Sequence, residues 1–264
     1  MTQTLLEVDG PIGIVTLNNP ERHNAFDDVL IAQLTAIFKS LDANKDVRVV
    51  ILSSVGKSFS AGADLNWMKR MAAYSQDENF RDAMGLAELM RTLHGLSKPT
   101  IARVQGAAFG GGVGLVACCD MAVGTQATTF SLSEAKIGLI PAVISPYVIA
   151  AIGERAAHRY FLTAERFDAA EAYRLGLLHE LAQGDEEMDD KINDLVTALL
   201  ACSPNAVCEG KSLIAAVANR PIGNELVIDT AQRIARVRAS EEGREGVTAF
   251  LEKRKARWVV DGES

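Results

Sequence analysis

Two stretches of small residues are where this chain could do chemistry. Ser58-Phe59-Ser60-Ala61-Gly62-Ala63-Asp64-Leu65 follows an apolar run ending near Ser53 and precedes a helical pattern, and Gly106-Ala107-Ala108-Phe109-Gly110-Gly111-Gly112 stands in the same relation to a run ending near Val104. Small residues at a strand-to-helix turn leave backbone N–H groups unpaired and accessible, and the helix N-terminus adds partial positive charge. Side by side, two such loops could aim two N–H donors at one developing oxyanion; taken singly, each is better read as a tight turn. Further on lies Glu134, a carboxylate in an apolar neighbourhood, where it is costly without a role or a partner.

Other signatures fall short. Gly56-Lys57-Ser58 ends like a phosphate-binding loop, but the required earlier glycine position holds Ile51. No serine sits in G-x-S-x-G, and the four histidines, His23, His94, His158 and His179, show no metal-ligand spacing, so no metal is expected. Gly112-x-Gly114-x-x-Ala117 matches a dinucleotide fingerprint, with Glu134 22 residues beyond its first glycine. Against it, the glycines begin at Gly106, too early for a tight strand-to-helix turn. A nicotinamide-dependent dehydrogenase stays open as a second class.

The positioning elements follow from periodicity. Leu5 to Val8 and Ile12 to Leu17 are short β-type runs around the turn signal Asp9-Gly10-Pro11. Leu30, Ile31, Leu34, Ile37, Phe38 and Leu41 mark one face of a helix, and Val47 to Leu52 is a continuous β-branched run suited to a strand buried on both sides. Helical patterns cover about Leu65 to Tyr74 and Asn79 to Leu96; β-type pieces recur at Thr100 to Val104, Met121 to Val123 and Thr129 to Leu132. The alternation predicts an α/β fold with mostly parallel pairing. After about residue 150 the pattern is helical, with Asp168 and Glu171 spaced as a capping box and Pro204 and Pro221 placed to open helices.

Composition narrows the function. Of 264 residues, 48% are hydrophobic and 23% charged, an ordinary globular balance. Lys and Arg number 27 against 34 Asp and Glu, and the net charge of −7 repels nucleic acid and anionic membranes as main partners. The longest uncharged stretch, Ile137 to Gly153, is broken by Pro141 and Pro146 and does not read as a membrane span. Without a leader-like start, and with four cysteines forming no CxxC pair, the chain is expected to be cytoplasmic with reduced thiols.

The pattern as a whole resembles the crotonase (enoyl-CoA hydratase/isomerase) superfamily. The resembling pieces are Asn19-Pro20-Glu21-Arg22-His23-Asn24-Ala25, Phe59 to Leu65, the Gly106 to Gly112 loop with Cys119-Asp120, Phe130 to Glu134 through Ile140-Pro141, and Phe250 to Lys255. They span nearly the whole chain in order. The resemblance implies a spiral of ββα turns over residues 1–195 and a helical oligomerisation region over 196–264, assembled as a homotrimer or a dimer of trimers. It also implies an acyl-CoA thioester as substrate, with no further cofactor because CoA is part of the substrate.

By matching position, the N–H groups of Ala63 and Gly111 would hold the thioester oxygen. Arg22, His23, Ala25, Ala61, Asp64 and Leu65 would line the CoA moiety, and Lys253 would reach its phosphates. Familiar hydratases of the family use two glutamates. Glu134 matches the second, whereas Gly114 stands where the first is expected. Ala63 to Met68, Gly106 to Gly111 and Ile140 to Tyr147 look like the bacterial 3-methylglutaconyl-CoA hydratase branch, active in leucine breakdown, which on this resemblance also lacks the first glutamate. Lys69, Arg70 and Tyr147 are candidates for the distal carboxylate of such a substrate. Two alternatives remain: a Δ3–Δ2 enoyl-CoA isomerase working with one carboxylate, and a non-catalytic CoA- or RNA-binding scaffold.

Overall fold

A computed structural model describes residues 3–259. The chain runs β1 (Thr4–Asp9), β2 (Ile12–Leu17), α1 (Asp28–Ala43), β3 (Val49–Ser54), β4 (Ser58–Ser60), α2 (Leu65–Met71) and α3 (Gln76–His94). It continues with β5 (Thr100–Val104), β6 (Ala107–Phe109), α4 (Gly111–Cys118), β7 (Met121–Thr125), β8 (Thr129–Ser131), α5 (Ser145–Thr163), β9 (Arg166–Asp168), α6 (Ala169–Leu175) and β10 (Glu180–Ala182). Four helices close it: α7 (Asp185–Ala201), α8 (Pro204–Val217), α9 (Asn224–Ala239) and α10 (Glu241–Leu251). Two units result. One comprises the chain up to Leu96 and Thr100–Asn193, the other Ser97–Pro99 and the chain from Asp194 onward. The outer limits of the two expected domains, residues 1–2 and 260–264, lie outside the described residues.

In the first unit, successive ββα turns give one strand to each of two sheets. The larger has the order β1-β2-β3-β5-β7-β10 and the smaller β4-β6-β8-β9. Pairing is parallel except where β1 meets β2 and β8 meets β9. Strand β3 is buried almost throughout, as its β-branched run requires, while β2 alternates and β1, at the edge, exposes five of its six residues. Leu30, Ile31, Leu34, Phe38 and Leu41 bury one face of α1 in a core that also holds Phe26, Phe59, Trp67, Met90 and Phe130. Helix α4 is apolar all round and accordingly buried, with Val113, Leu115, Val116 and Cys118 inside.

Several expectations are corrected. The stretches read as loops at 58–60 and 107–109 are three-residue strands, β4 and β6, which pair in parallel with an irregularity between Ser58 and Ser60. Asp168 caps α6 by accepting from the Glu171 N–H, but the Glu171 carboxylate is taken by Tyr160 and Arg174, so the box is half formed. Pro204 opens α8, whereas the next helix starts at Asn224 after Gly223 rather than at Pro221.

The second unit is helical. Glu245, buried in α10, takes two hydrogen bonds from the Arg254 guanidinium at 2.7 and 2.9 Å and one from the Arg257 N–H. These hold its carboxyl down to about 2, the Arg254 pairing being the larger cause. Apolar side chains remain exposed on this unit: Ile214, Ile222, Val227, Ile228, Phe250 and Leu251. Among the described residues, no helix is long and apolar enough to cross a membrane.

Candidate active site

The site starts from a sharp turn. After the 3-10 turn Pro20–Arg22, His23 and Asn24 take left-handed φ values of 52° and 54°. Asn24 fits there because its buried amide locks locally, a habit of short polar side chains. It accepts from Asn19 N–H at 2.8 Å and donates to Val55 O at 2.9 Å and Ser58 O at 2.8 Å. The turn is thereby stitched to the β4 region: Ala61 N–H donates to His23 O, Phe26 N–H to Gly62 O and Asp64 N–H to Phe26 O. His23 Nδ1 and Ser58 Oγ share a hydrogen bond of 3.1 Å.

Asp64 caps α2, accepting from Asn66 and Trp67 N–H, and pairs with the Arg22 guanidinium at 3.0 Å. Burial pushes its carboxyl up, but these N–H groups and Arg22 outweigh it and hold the group below its usual range. Arg22, His23, Ala25, Ala61 and Asp64 thus form one connected patch, with Leu65 exposed at its rim.

The second loop abuts the first. Gly110 turns at φ 50°, ψ −117°, a conformation that only glycine adopts without strain, and delivers the chain from β6 into α4. A Cβ added to Gly112 would stand 2.8 Å from Ser60 O, so the close approach of β4 to α4 needs glycine there. Gly110 N–H is spent on Ser131 O. Among the described residues, no protein acceptor is recorded for the N–H groups of Ala63 and Gly111, while Asp64, Ala61 and Gly110 beside them are all paired. The fingerprint glycines Gly112 and Gly114 lie inside α4 rather than in the turn before it, which removes the dinucleotide reading.

Glu134 opens a 3-10 turn, Glu134–Ile137, directly after β8. Its side chain faces the glycine turn, since a Cβ on Gly110 would stand 3.0 Å from Glu134 Oε1. Glu134 Oε2 is buried without a hydrogen-bond partner. Desolvation by burial pushes its carboxyl above the ordinary glutamate range. Two free N–H donors, a helix N-terminus and a proton-accepting carboxylate can support enolate chemistry next to a carbonyl.

The other expected residues have contacts or exposures of their own. Tyr147 packs its ring against His94 of α3 at 5.1 Å, and its hydroxyl is pushed up by burial first and by Cys118 second. Cys118 ends α4, about 10 Å of helix from Gly111. Arg70 is ion-paired with Asp28, and Lys69 is exposed on α2. Lys253 lies in the second unit, exposed, with a left-handed φ of 55°. Sequence reasoning missed two residues. The Arg166 guanidinium lies over the Phe109 ring at 5.0 Å, and Ile144 packs over Gly114. Neither carries a motif, because each contact joins segments more than 25 residues apart.

Residues 7–260 match the sequence profile described as enoyl-CoA hydratase/isomerase. A putative enoyl-CoA hydratase of Thermus thermophilus is 32% identical over 249 residues, covering 94% of this chain and 98% of that protein. The crystal structure of an enoyl-CoA hydratase from Shewanella pealeana superposes with a TM-score of 0.94 at 43% identity, covering 97% of this chain and 96% of the other. A mevalonyl-coenzyme A hydratase of Aspergillus fumigatus is 32% identical, covering 93% and 90% respectively.

Proposed function

This chain belongs to the enoyl-CoA hydratase/isomerase family, and we propose that it adds water across the α,β-double bond of 3-methylglutaconyl-CoA or a related branched glutaconyl-CoA, with Glu134 as its single acid/base. At the level of the family the chain is an enoyl-CoA hydratase acting on an acyl-CoA thioester. The observation that carries the mechanism is the buried, unpartnered Glu134 Oε2.

In this reading Glu134 takes a proton from water as the water oxygen bonds to C3. The π electrons of the C2–C3 bond pass to the thioester oxygen, and the resulting enolate is held by the N–H groups of Ala63 and Gly111. The proton on Glu134 then passes to C2, the carbonyl re-forms and the carboxylate is restored. The likeness to a mevalonyl-CoA hydratase supports a short, branched acyl group with a polar end. Arg22, His23, Ala25, Ala61, Asp64 and Leu65 would line CoA, and Lys253 would reach its phosphates. The exposed apolar residues of the helical unit support assembly as a homotrimer or a dimer of trimers, and a cytoplasmic location accords with the free thiols.

Glu134→Gln tests the mechanism. Turnover falls by roughly 10³-fold while acyl-CoA binding survives; retained turnover removes Glu134 from the reaction. The group must be ionised to accept the proton from water. Because burial raises its pKa, kcat/KM declines as pH falls through a value above the ordinary 4.5 of a glutamate. Ionised Glu134 is a cost to folding above that raised pKa, so Glu134→Gln leaves Tm at pH 7 unchanged or higher. One observation favours the isomerase: the single carboxylate left by Gly114 suffices to move a proton from C2 to C4 of a 3-enoyl-CoA. Mass spectrometry of products from 2-enoyl and 3-enoyl substrates separates the two, since only hydration adds 18 mass units, about one water.

A further inference from the structure

Gly114 lies three residues beyond Gly111 in α4 and so on the same face, its N–H bonded to Gly110 O at 3.2 Å. Cα–Cβ bonds in a helix tilt toward its N-terminus. A side chain at 114 would therefore climb toward the Gly110–Gly111 end, where Glu134 Oε1 stands. The space at its first carbon is filled. A Cβ on Gly114 would fall inside the van der Waals shell of Ile144 Cγ2, 2.9 Å from Ile144 Cβ and 3.2 Å from Met90 Cε.

The two neighbours differ in how far they can yield. Met90 offers the end of a flexible chain. Ile144 offers atoms bonded at or next to its own Cβ, with a χ1 restricted by branching. Its main chain is also fixed, because Ile144 O accepts from the N–H groups of Tyr147 and Val148 at 3.2 and 3.1 Å where Pro146 opens α5. Ile144 is 3% exposed, so it has no solvent to swing into.

We propose that Ile144 is a specificity-determining residue of this site: it occupies the space that a second carboxylate on α4 would need and holds the site to one acid/base group, Glu134. The inference rests on the one-carboxylate reading of the function given above. With Ile144 in place, the proton Glu134 removes from water is the proton available for C2. A site of this form favours substrates whose C2 and C3 lie within reach of one carboxylate.

A double-mutant cycle tests the packing, and pH profiles test its consequence. Gly114→Ala and Ile144→Ala are each made alone and together, and Tm is read for the full chain. Each single variant lowers Tm, Gly114→Ala by overpacking and Ile144→Ala by a cavity. The pair is expected to lose about 3 °C or more less than the sum of the singles, because each change relieves the other. Additive losses overturn the proposal. In the second arm, Gly114→Glu is made with Ile144→Ala and kcat/KM is followed against pH on an enoyl-CoA. The wild type shows one carboxylate ionisation and the double variant two. Two ionisations in the wild type, or one in a folded double variant, overturn the proposal. If wild type hydrates no enoyl-CoA at all, the functional reading fails, and the Tm cycle still decides whether Ile144 fills the space.

Discussion

The two loops that meet at the site treat their helix ends in opposite ways. At α2 the first turn is consumed by the protein itself: Asp64 accepts from Asn66 and Trp67 N–H, and Arg22 neutralises the carboxylate. Just outside that cap, the N–H of Ala63 is left over. At α4 the N-cap is Gly110, which has no side chain to offer, so the helix end with its Gly111 N–H stays bare beside Glu134. One loop is a clamp that presents the Ala63 donor outside a capped helix, and the other presents the Gly111 donor together with the uncapped positive end of a helix. The same family of small residues therefore serves two purposes, and what separates them is a carboxylate at the cap.

The comparison breaks most easily at Gly110. An alanine there would have to adopt φ 50°, and its Cβ would press on Glu134 Oε1 at 3.0 Å. Gly110→Ala is expected to lower kcat by roughly 10²-fold, the scale of one misplaced oxyanion donor. Steady-state kinetics at substrate saturation checks it; a kcat near wild type would show that the turn does not set the donor. Asp64→Ala acts on the other loop and more weakly on turnover. Losing a cap costs ~1 kcal/mol, which lowers Tm by about 2–4 °C in a chain of this size. Its kcat should fall only several-fold, because the Phe26 bonds to Gly62 and Asp64 still hold the strand. A larger fall in kcat for Asp64→Ala than for Gly110→Ala would reverse the roles assigned to the two loops.

The chain's own pattern makes the scaffold plain and the site only partly so. The apolar runs of β3 and β5 and the striped helices α1 and α3 are long enough for periodicity to register. Strands β4 and β6 are three residues each, and three residues carry no periodicity, so they read as loops although their pairing sets Gly62 against Phe109. Gly62 and Gly110 announce turns by type, but only the ladder between β4 and β6 makes the turns neighbours. Tyr147 is a candidate for the distal carboxylate of the substrate by its place in the sequence. Its ring contact with His94, from a helix more than 50 residues earlier, carries no signal in the sequence. Ile144 was invisible because its role depends on a glycine 30 residues earlier having no side chain.

The smallest expected effect concerns Arg22, and it sharpens what the clamp is for. Its ion pair with Asp64 joins a half-exposed guanidinium to a buried carboxylate, the side chains being 54% and 10% exposed. An exposed partner gains little from the pairing, so Arg22→Ala should cost about 1 kcal/mol or less in stability. If Arg22 acts only through Asp64, Arg22→Ala and Asp64→Ala change the same property and the double variant is no worse than Asp64→Ala alone. If instead the exposed face of Arg22 touches the CoA moiety, KM rises several-fold in Arg22→Ala with kcat held, a loss of uniform binding. The second outcome is expected, since the cap bonds from Asn66 and Trp67 already hold Asp64 in place without Arg22. A KM unchanged in Arg22→Ala would confine this half-exposed guanidinium to its pair with Asp64.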